Sequence, residues 1–294
     1  MSYVDIPRYL SFIDVAVELA STIQPYSSKY SKKTFTQQQL LILYILKQKS
    51  KLSYSEFVDD FKTRDSVLLK LGLNKVLAPT TIRMFADRTN TNLLELMIGN
   101  GINLTRKRKL NTAVDATGFE LEDGSYHYLK RLGKASKQRK SLKFSGCAET
   151  DKHLFLSAKI RKSKRHDNVD FQIVIKKAKK NSKKEIKTNT GDKAYDSEKN
   201  HEFAEKEGFE HIAPLKNKVP VWRTKGVHRK KLRRKFPKKK DHRRSIIESM
   251  FFRIKRLCGK VIYSKKWMMQ KKEMLAKILC YNIHRIVQLG RICS

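Results

Sequence analysis

Apolar residues recur at helical spacing through the first hundred positions. In residues 8–24 and again in 36–49 they fall three and four apart, with Leu40, Leu43 and Tyr44 on one stripe and Leu41 and Ile45 beside it, so each stretch is expected to be a helix. Ser53-Tyr-Ser-Glu56 has the form of a capping box before a further helix. Ala78-Pro-Thr-Thr-Ile-Arg-Met-Phe, with the periodic stretch through Leu93, Leu94 and Met97, suggests a compact helix-turn-helix-like unit. A plain helical bundle without DNA contact accounts for it equally well.

From Leu110 the period shortens. Residues 111–121 read as a strand, and 144–150 with 153–160 as two more joined at Asp151-Lys152. A helical segment around 169–178, a strand-like piece reaching Asp192, a helix over 197–207 and a short strand over 211–215 follow. Strands first and alternating elements afterwards imply an α/β mixed sheet flanked by helices, preceded by an all-helical region. The expected division is 1–104 and 105–294. Beyond residue 245, Ile247, Met250, Phe251, Ile254, Leu257 and Cys258 form the apolar stripe of another helix.

Charge changes the picture. The 294 residues, 39% hydrophobic, suffice for one sizeable core, yet Lys and Arg number 66 against 28 Asp and Glu, a net charge of +38. Residues 1–104 hold 13 basic and 9 acidic side chains, so nearly all the excess lies in 105–294. A polyanion, with double-stranded DNA foremost, is the expected partner of that part. A membrane surface fits less well, because no basic amphipathic helix with a clean apolar face, lipidation signal or bilayer-length apolar run stands out. The start of the chain lacks the pattern of a signal peptide, which reads as intracellular. Cys147, Cys258, Cys280 and Cys293 show no zinc-ligand spacing and are expected as reduced thiols, mostly in the core. Residues 216–244 hold 15 Lys/Arg and one acid, Asp241, which predicts a solvated arm or long loop held open until phosphates neutralise it.

Two acids sit where strands disfavour them: Asp115 within the apolar Ala113, Val114 and Phe119 stretch, and Asp192 where a strand gives way to Lys193-Ala-Tyr-Asp196. Either alone has a bland explanation as a turn-former. On the helix after residue 244, Arg244, Glu248 and Lys255 share one face, which alone reads as a solvated salt-bridge face.

Together, Asp115-Ala-Thr-Gly, Gly191-Asp-Lys-Ala-Tyr-Asp196 and Arg244-x3-Glu248-x6-Lys255 resemble, in order and context, the DDE transposases of prokaryotic insertion sequences, most nearly the IS-four and IS-five kind. The chain departs from that pattern at Asp241 (Tyr in the family), Ala194 (Gly) and Ala116 (Ser or Thr). The resemblance implies an RNase H-like sheet with Asp115 on its first strand, Asp192 ending the fourth and Glu248 on a helix packed against them. It implies that these three carboxylates are catalytic and hold Mg2+, or Mn2+ in its place, oxygen-only ligation suiting such hard ions. Metal-dependent cleavage at transposon ends and transfer of the freed 3′-OH into target DNA would follow. The partners would be end and target DNA and a second copy of the chain in the synaptic complex, in a cytoplasmic, nucleoid-associated setting. Arg244, Lys255, Lys193, Arg243, Tyr195 and Trp222 would contact DNA. Tyr195 is equally readable as packing, and Trp222 either stacks an unpaired base or serves as a core tryptophan. Trp267 is expected to pack on the final helix. The competing functions are a catalytically silent transposase derivative and a protein bound to nucleic acid by charge alone.

Overall fold

The computed structural model describes residues 8–75, 77–105, 107–122, 131, 141–162, 165–216 and 219–290. Helices α1 (Arg8–Ala20), α2 (Gln37–Ser50), α3 (Tyr54–Lys62), α4 (Asp65–Lys70), α5 (Pro79–Arg88) and α6 (Thr91–Asn100) form the N-terminal part. Their starts are written locally. Ser53 Oγ accepts from Glu56 N at 3.2 Å while Glu56 Oε2 accepts from Ser53 N at 2.8 Å, the reciprocal cap expected of that tetrapeptide. Thr36 and Gln39 make the same box before α2.

The sheet has six strands in the order β3-β2-β1-β4-β5, with β6 also pairing β1. Strands β1 (Lys109–Leu121), β2 (Ser141–Glu149) and β3 (Leu154–Arg161) form an antiparallel meander, and β4 (Glu185–Gly191) and β5 (Glu210–Ile212) add in parallel. The mixed sheet flanked by helices is the RNase H-like class expected from the sequence. The edge of β1 facing β4 matters most. It is occupied by β4 along residues 109–114 and by β6 (Val261–Ile262) at Glu120 and Leu121. Between these, residues 115–119 have no strand partner on that side among the described residues, so the sheet opens a notch at Asp115.

Helices α7 (Phe171–Ser182), α8 (Glu198–Lys206), α11 (Arg244–Cys258) and α12 (Trp267–Gln288) cover the sheet. Almost every side chain in the middle of α12 is buried, because it lies against α1, α2 and α6 as well as α11 and β3. One hydrophobic cluster therefore runs through both the helical part and the sheet. Helix α6 belongs to it: Leu94, Met97 and Ile98 are buried against α7, β3 and α12, and Gly99 passes so close to Asn181 that a Cβ would sit 2.3 Å from that side chain. Helix α6 is thus a packing element, while α5 keeps Arg83, Met84, Asp87 and Arg88 exposed. Trp267 is half-buried against the core, with Lys162 Nζ 5.2 Å from its ring. Cys147, Cys258 and Cys280 are buried free thiols, while Cys293 lies outside the described residues.

Asn282, fully buried on α12, stitches three elements. Its Oδ1 accepts from Phe155 N at 3.0 Å, and its Nδ2 donates to Phe155 O at 2.8 Å and Ile98 O at 3.1 Å. Asn282→Ala would strand three buried backbone groups and leave a cavity, a destabilisation of about 3–5 kcal/mol. Urea midpoints at unchanged m-value check this; a loss under about 1 kcal/mol would mean water replaces the side chain.

The basic segment is more ordered than charge repulsion suggests. A 3-10 turn (Val221–Arg223), α9 (Val227–Arg234) and α10 (Lys238–Asp241) lie within it, none burying a residue, so the expected arm or loop becomes two short helices. Residues 217 and 218 lie outside the described set.

Candidate active site

Helix α11 runs alongside β1 in the same sense. At its start Arg243 Nη1 donates to Thr150 Oγ1 at 3.2 Å, beside the first residues of β1, where Thr150 N donates to Asn111 O at 2.9 Å. Near its end Lys255 Nζ donates to Thr117 Oγ1 at 2.8 Å and lies 5.3 Å from the Phe119 ring. Glu248 lies two turns or about 10 Å before Lys255 on the helix, and Asp115 about 7 Å before Thr117 on the strand, so both lie back from the Lys255–Thr117 contact in the same direction. The apolar stripe beneath fixes that register: Phe251 meets Phe144 with ring centroids 5.3 Å apart and Phe155 at 5.7 Å.

Asp192 reaches the notch from the other side. The last pair of β1 with β4 is Val114 with Gly191, so the next residues, Asp115 and Asp192, stand side by side where the strands part. Asp192 Oδ1 accepts from Ala194 N at 2.7 Å, capping the turn Lys193–Tyr195. Gly191 permits the tight return, since a Cβ there would lie 3.0–3.2 Å from Tyr195 side-chain atoms.

The acids act on one another electrostatically. Burial pushes the Asp115 carboxyl up to about 7; the charges of Asp192, Glu248 and Asp167 add to the rise, and the Ala116 N–H opposes it. Tyr195, with no exposed surface, is raised well above the usual phenol range by burial, with Asp115, Asp167, Asp192 and Asp170 adding. Its buried hydroxyl has no hydrogen-bond partner. Carboxylates that repel one another at a half-buried notch make a natural home for a cation.

A polar chain holds the Asp192 turn from below. Thr112 Oγ1 donates to Asn189 Oδ1 at 2.9 Å, Asn189 Nδ2 to His211 Nδ1 at 3.1 Å, and His211 Nε2 to Tyr195 O at 3.4 Å. His211 is thereby neutral with its proton on Nε2. Burial, then the neighbouring His201, lowers His211 to about 3. Above pH 6.5 the ring is neutral folded or unfolded, so it contributes no pH dependence. Below 6.5 the unfolded chain takes up a proton the folded one refuses, and stability falls until about pH 3. Denaturation midpoints should decline over that window in the wild type and decline less in His211→Gln; equal slopes would exclude His211 as the cause.

The other expected DNA contacts divide. Arg244 Nη1 holds Glu248 Oε1 at 3.0 Å, with both side chains partly exposed. Lys193 is exposed beside Asp192. Arg243 is paired with Asp151, which Lys107 also engages. Trp222 is 73% exposed with the Arg223 guanidinium 4.6 Å from its ring, so it is no core tryptophan. Tyr195 is the opposite case, and its complete burial makes it a packing residue in place of a DNA contact. Sequence reasoning passed over Asp167, paired with Lys143, and Asp196, fully buried and gripped by Arg229. Asp196 carried a signal as the last residue of its motif; Asp167 carried none.

The donor set fits a hard divalent cation in chemistry, being all carboxylate, and a cation beside Asp115 would favour the ionised form that its neighbours disfavour. Two of its side chains are engaged locally: among the described residues no three donors converge on one point, Asp192 being turned to Ala194 and Glu248 to Arg244. Among the described residues no helix is long and apolar enough to cross a membrane.

Comparison with curated proteins gives no match. A family model described as the transposase DDE domain matches residues 106–283, from just before β1 into the last turns of α12 and including Asp115, Asp192 and Glu248. That span is well over half of the 294 residues, and the chain belongs to the DDE transposase family.

Proposed function

We propose that this transposase cleaves the ends of an insertion sequence of the IS-four or IS-five kind and joins the freed 3′-OH to target DNA, using Asp115, Asp192 and Glu248 as its catalytic carboxylates. One observation carries the proposal: although the three acids are separated by 77 and 56 residues in the chain, the charges of Asp192 on a strand end and Glu248 on a helix both act on Asp115 and help raise its carboxyl. These carboxylates would hold Mg2+, or Mn2+ in its place. Bound there, the ions supply the positive charge that lowers the cost of deprotonating water and of building charge on the leaving oxygen.

The chain's own residues then have distinct tasks. The Asp192 cap and the Thr112–Asn189–His211 chain keep the turn in place. Lys255, moored on Thr117, and Arg244, beside Glu248, flank the notch with positive charge suited to the phosphates of the cleaved strand. Lys193 extends that surface. Cleavage places water on the scissile phosphorus and expels the 3′ oxygen; joining places that 3′ oxygen on a target phosphorus and expels another 3′ oxygen. Neither step needs a covalent bond to the protein, which accords with the buried Tyr195. Helices α9 and α10 would track the DNA backbone, with Trp222 at their start stacking on an unpaired base. Two copies would pair the two ends.

Purified protein with Mg2+ or Mn2+ should nick duplex DNA carrying its element's ends and release a 3′-OH; no metal-dependent nicking of any end sequence would remove the enzyme reading. Changing Lys230, Lys231, Lys238 and Lys239 to Gln should weaken binding to all DNA and flatten the dependence of log K on log salt by about 0.9 for each phosphate that is no longer neutralised. An unaltered slope would show that these helices face away from the DNA.

A further inference from the structure

Beyond the far end of β1 lies a cavity of about 710 Å3 between the helical part and the loop entering α12. Its place is set by β6: Glu122, just after the residues of β1 that pair with Val261 and Ile262, is in its wall, and Tyr263 to Lys266 form another side. The remaining walls come from the end of α2, the start of α3 and α5.

Two buried donors line it. Gln48 is 3% exposed and its Nε2 has no hydrogen-bond partner. Lys47 is 8% exposed, its ammonium 4.8 Å from the Tyr54 ring centre and in no ion pair with the described residues, and burial draws its pKa down although Glu273 opposes. A buried amide N–H without an acceptor is costly, and an acceptor-bearing anion would relieve it while pairing with the Lys47 ammonium at the end of a mostly buried side chain. Glu273 does not fill that need: its oxygens accept from Tyr263 N at 3.2 Å and Ser264 N at 2.9 Å. Glu56 is likewise committed to Ser53 N.

The outer wall repeats the theme. Lys51, Arg83, Lys265 and Lys266 are exposed at the mouth and make no ion pair with the described residues. Tyr54 and Tyr263 line the cavity, with the Lys47 ammonium over the Tyr54 ring and the Lys277 ammonium 5.9 Å from the Tyr263 ring, and Met84 and Met269 add apolar surface. A flat heterocycle with carbonyl or ring-nitrogen acceptors, bearing phosphate, satisfies rings, inner donors and outer cations at once.

We propose that this cavity is a nucleotide-binding site, taking a nucleobase among the side chains of Tyr54, Tyr263 and Met269 with an acceptor edge on Gln48 and Lys47 and its phosphate on the cations at the mouth. The nucleotide is either free or an unpaired nucleotide of bound DNA. The second source rests on the DNA-cleavage reading and is within range, for Glu122 is seven strand residues past Asp115, about 23 Å, or about seven base-pair steps.

The test uses the full-length protein without metal, so that cleavage plays no part. Two probes are titrated separately: a fluorescent adenosine triphosphate analogue, and a duplex with a single unpaired 2-aminopurine seven steps from the end, beside a fully paired control. Gln48→Met keeps the side-chain size, and the surface pair Lys265→Ala/Lys266→Ala leaves the core untouched. Saturable binding of the free nucleotide, weakened about tenfold in both variants, supports a free ligand. A 2-aminopurine signal seen only with the unpaired base, and lost in both variants while the paired control still binds, supports the DNA source. If neither probe distinguishes wild type from the surface pair, the nucleotide site is overturned. Paired DNA that binds throughout keeps that outcome separate from failure of the DNA-cleavage reading.

Discussion

Asp192→Asn should lower cleavage of end DNA by about a thousandfold or more while leaving DNA binding and folding close to wild type. The substitution isolates charge from structure. An asparagine Oδ1 accepts from Ala194 N as the aspartate does, at 2.7 Å, so the turn Lys193–Tyr195 stays capped and Gly191 still accommodates the Tyr195 ring. What disappears is one of the negative charges at the notch and one ligand for a divalent cation. Asp192→Ala would lose cap and charge together, so the difference between the two variants measures how much of the effect is structural. Asp115→Asn should behave like Asp192→Asn. Glu248→Gln should also fall, although it releases Arg244 from its 3.0 Å contact and so strengthens the pull on phosphates. Cleavage by Asp192→Asn within about tenfold of wild type, with equal binding, would show that chemistry takes place elsewhere.

The sequence made some of this legible because the relevant forces are local. The meander follows from alternation, α11 from its apolar stripe, and the two capping-box starts from side chains three residues apart. Asp115 and Asp192 stand out because an acid in or ending an apolar strand is a local cost. What escaped depends on partners far along the chain. The notch at residues 115–119 exists because β4 stops at Gly191 and β6, more than 130 residues after Asp115, resumes the pairing at Glu120. Tyr195 looked available for DNA until Gly191 and Phe171 closed over it, its ring 6.0 Å from that of Phe171. Helix α6 has the length and capping of a surface element, and it is buried by α7, β3 and α12, with α1 beside them. Charge repulsion argued for an open arm over residues 216–244, but repulsion sets a tendency, and four acids outside the segment, Asp151, Asp196, Glu198 and Glu210, supply the anchors that defeat it.

The strongest of those anchors leads to the second large effect. Arg229→Ala should destabilise the protein by about 3–5 kcal/mol and also weaken DNA binding, a combination that ordinary loss of one surface cation would not produce. Arg229 Nε and Nη2 each donate to Asp196 at 2.8 Å, and Asp196 Oδ2 also accepts from Lys216 N at 2.9 Å. Asp196 has no exposed side-chain surface, so removing the guanidinium leaves a buried charge with only a backbone amide. The same contact ties α9 to the turn Lys193–Tyr195, which Asp192 caps and Asp196 follows. Glu198 completes the joint by accepting from His228 N at 2.9 Å and Arg229 N at 3.3 Å, a carboxylate at the helix start where the dipole favours it. Gly226, at φ 94, lets the chain turn into that carboxylate; a Cβ would lie 2.0 Å from Glu198 Oε2. Arg229→Lys retains charge but not the paired geometry and should fall between wild type and Ala. The double variant Asp196→Asn/Arg229→Met removes both charges and should recover much of the stability lost by Arg229→Ala, yet not the DNA affinity, because α9 would no longer be fixed beside the notch. Denaturant midpoints and DNA titrations on the same preparations decide it. If Arg229→Ala loses affinity with its midpoint unchanged, Arg229 is a phosphate contact and not the clasp that seats the basic helix.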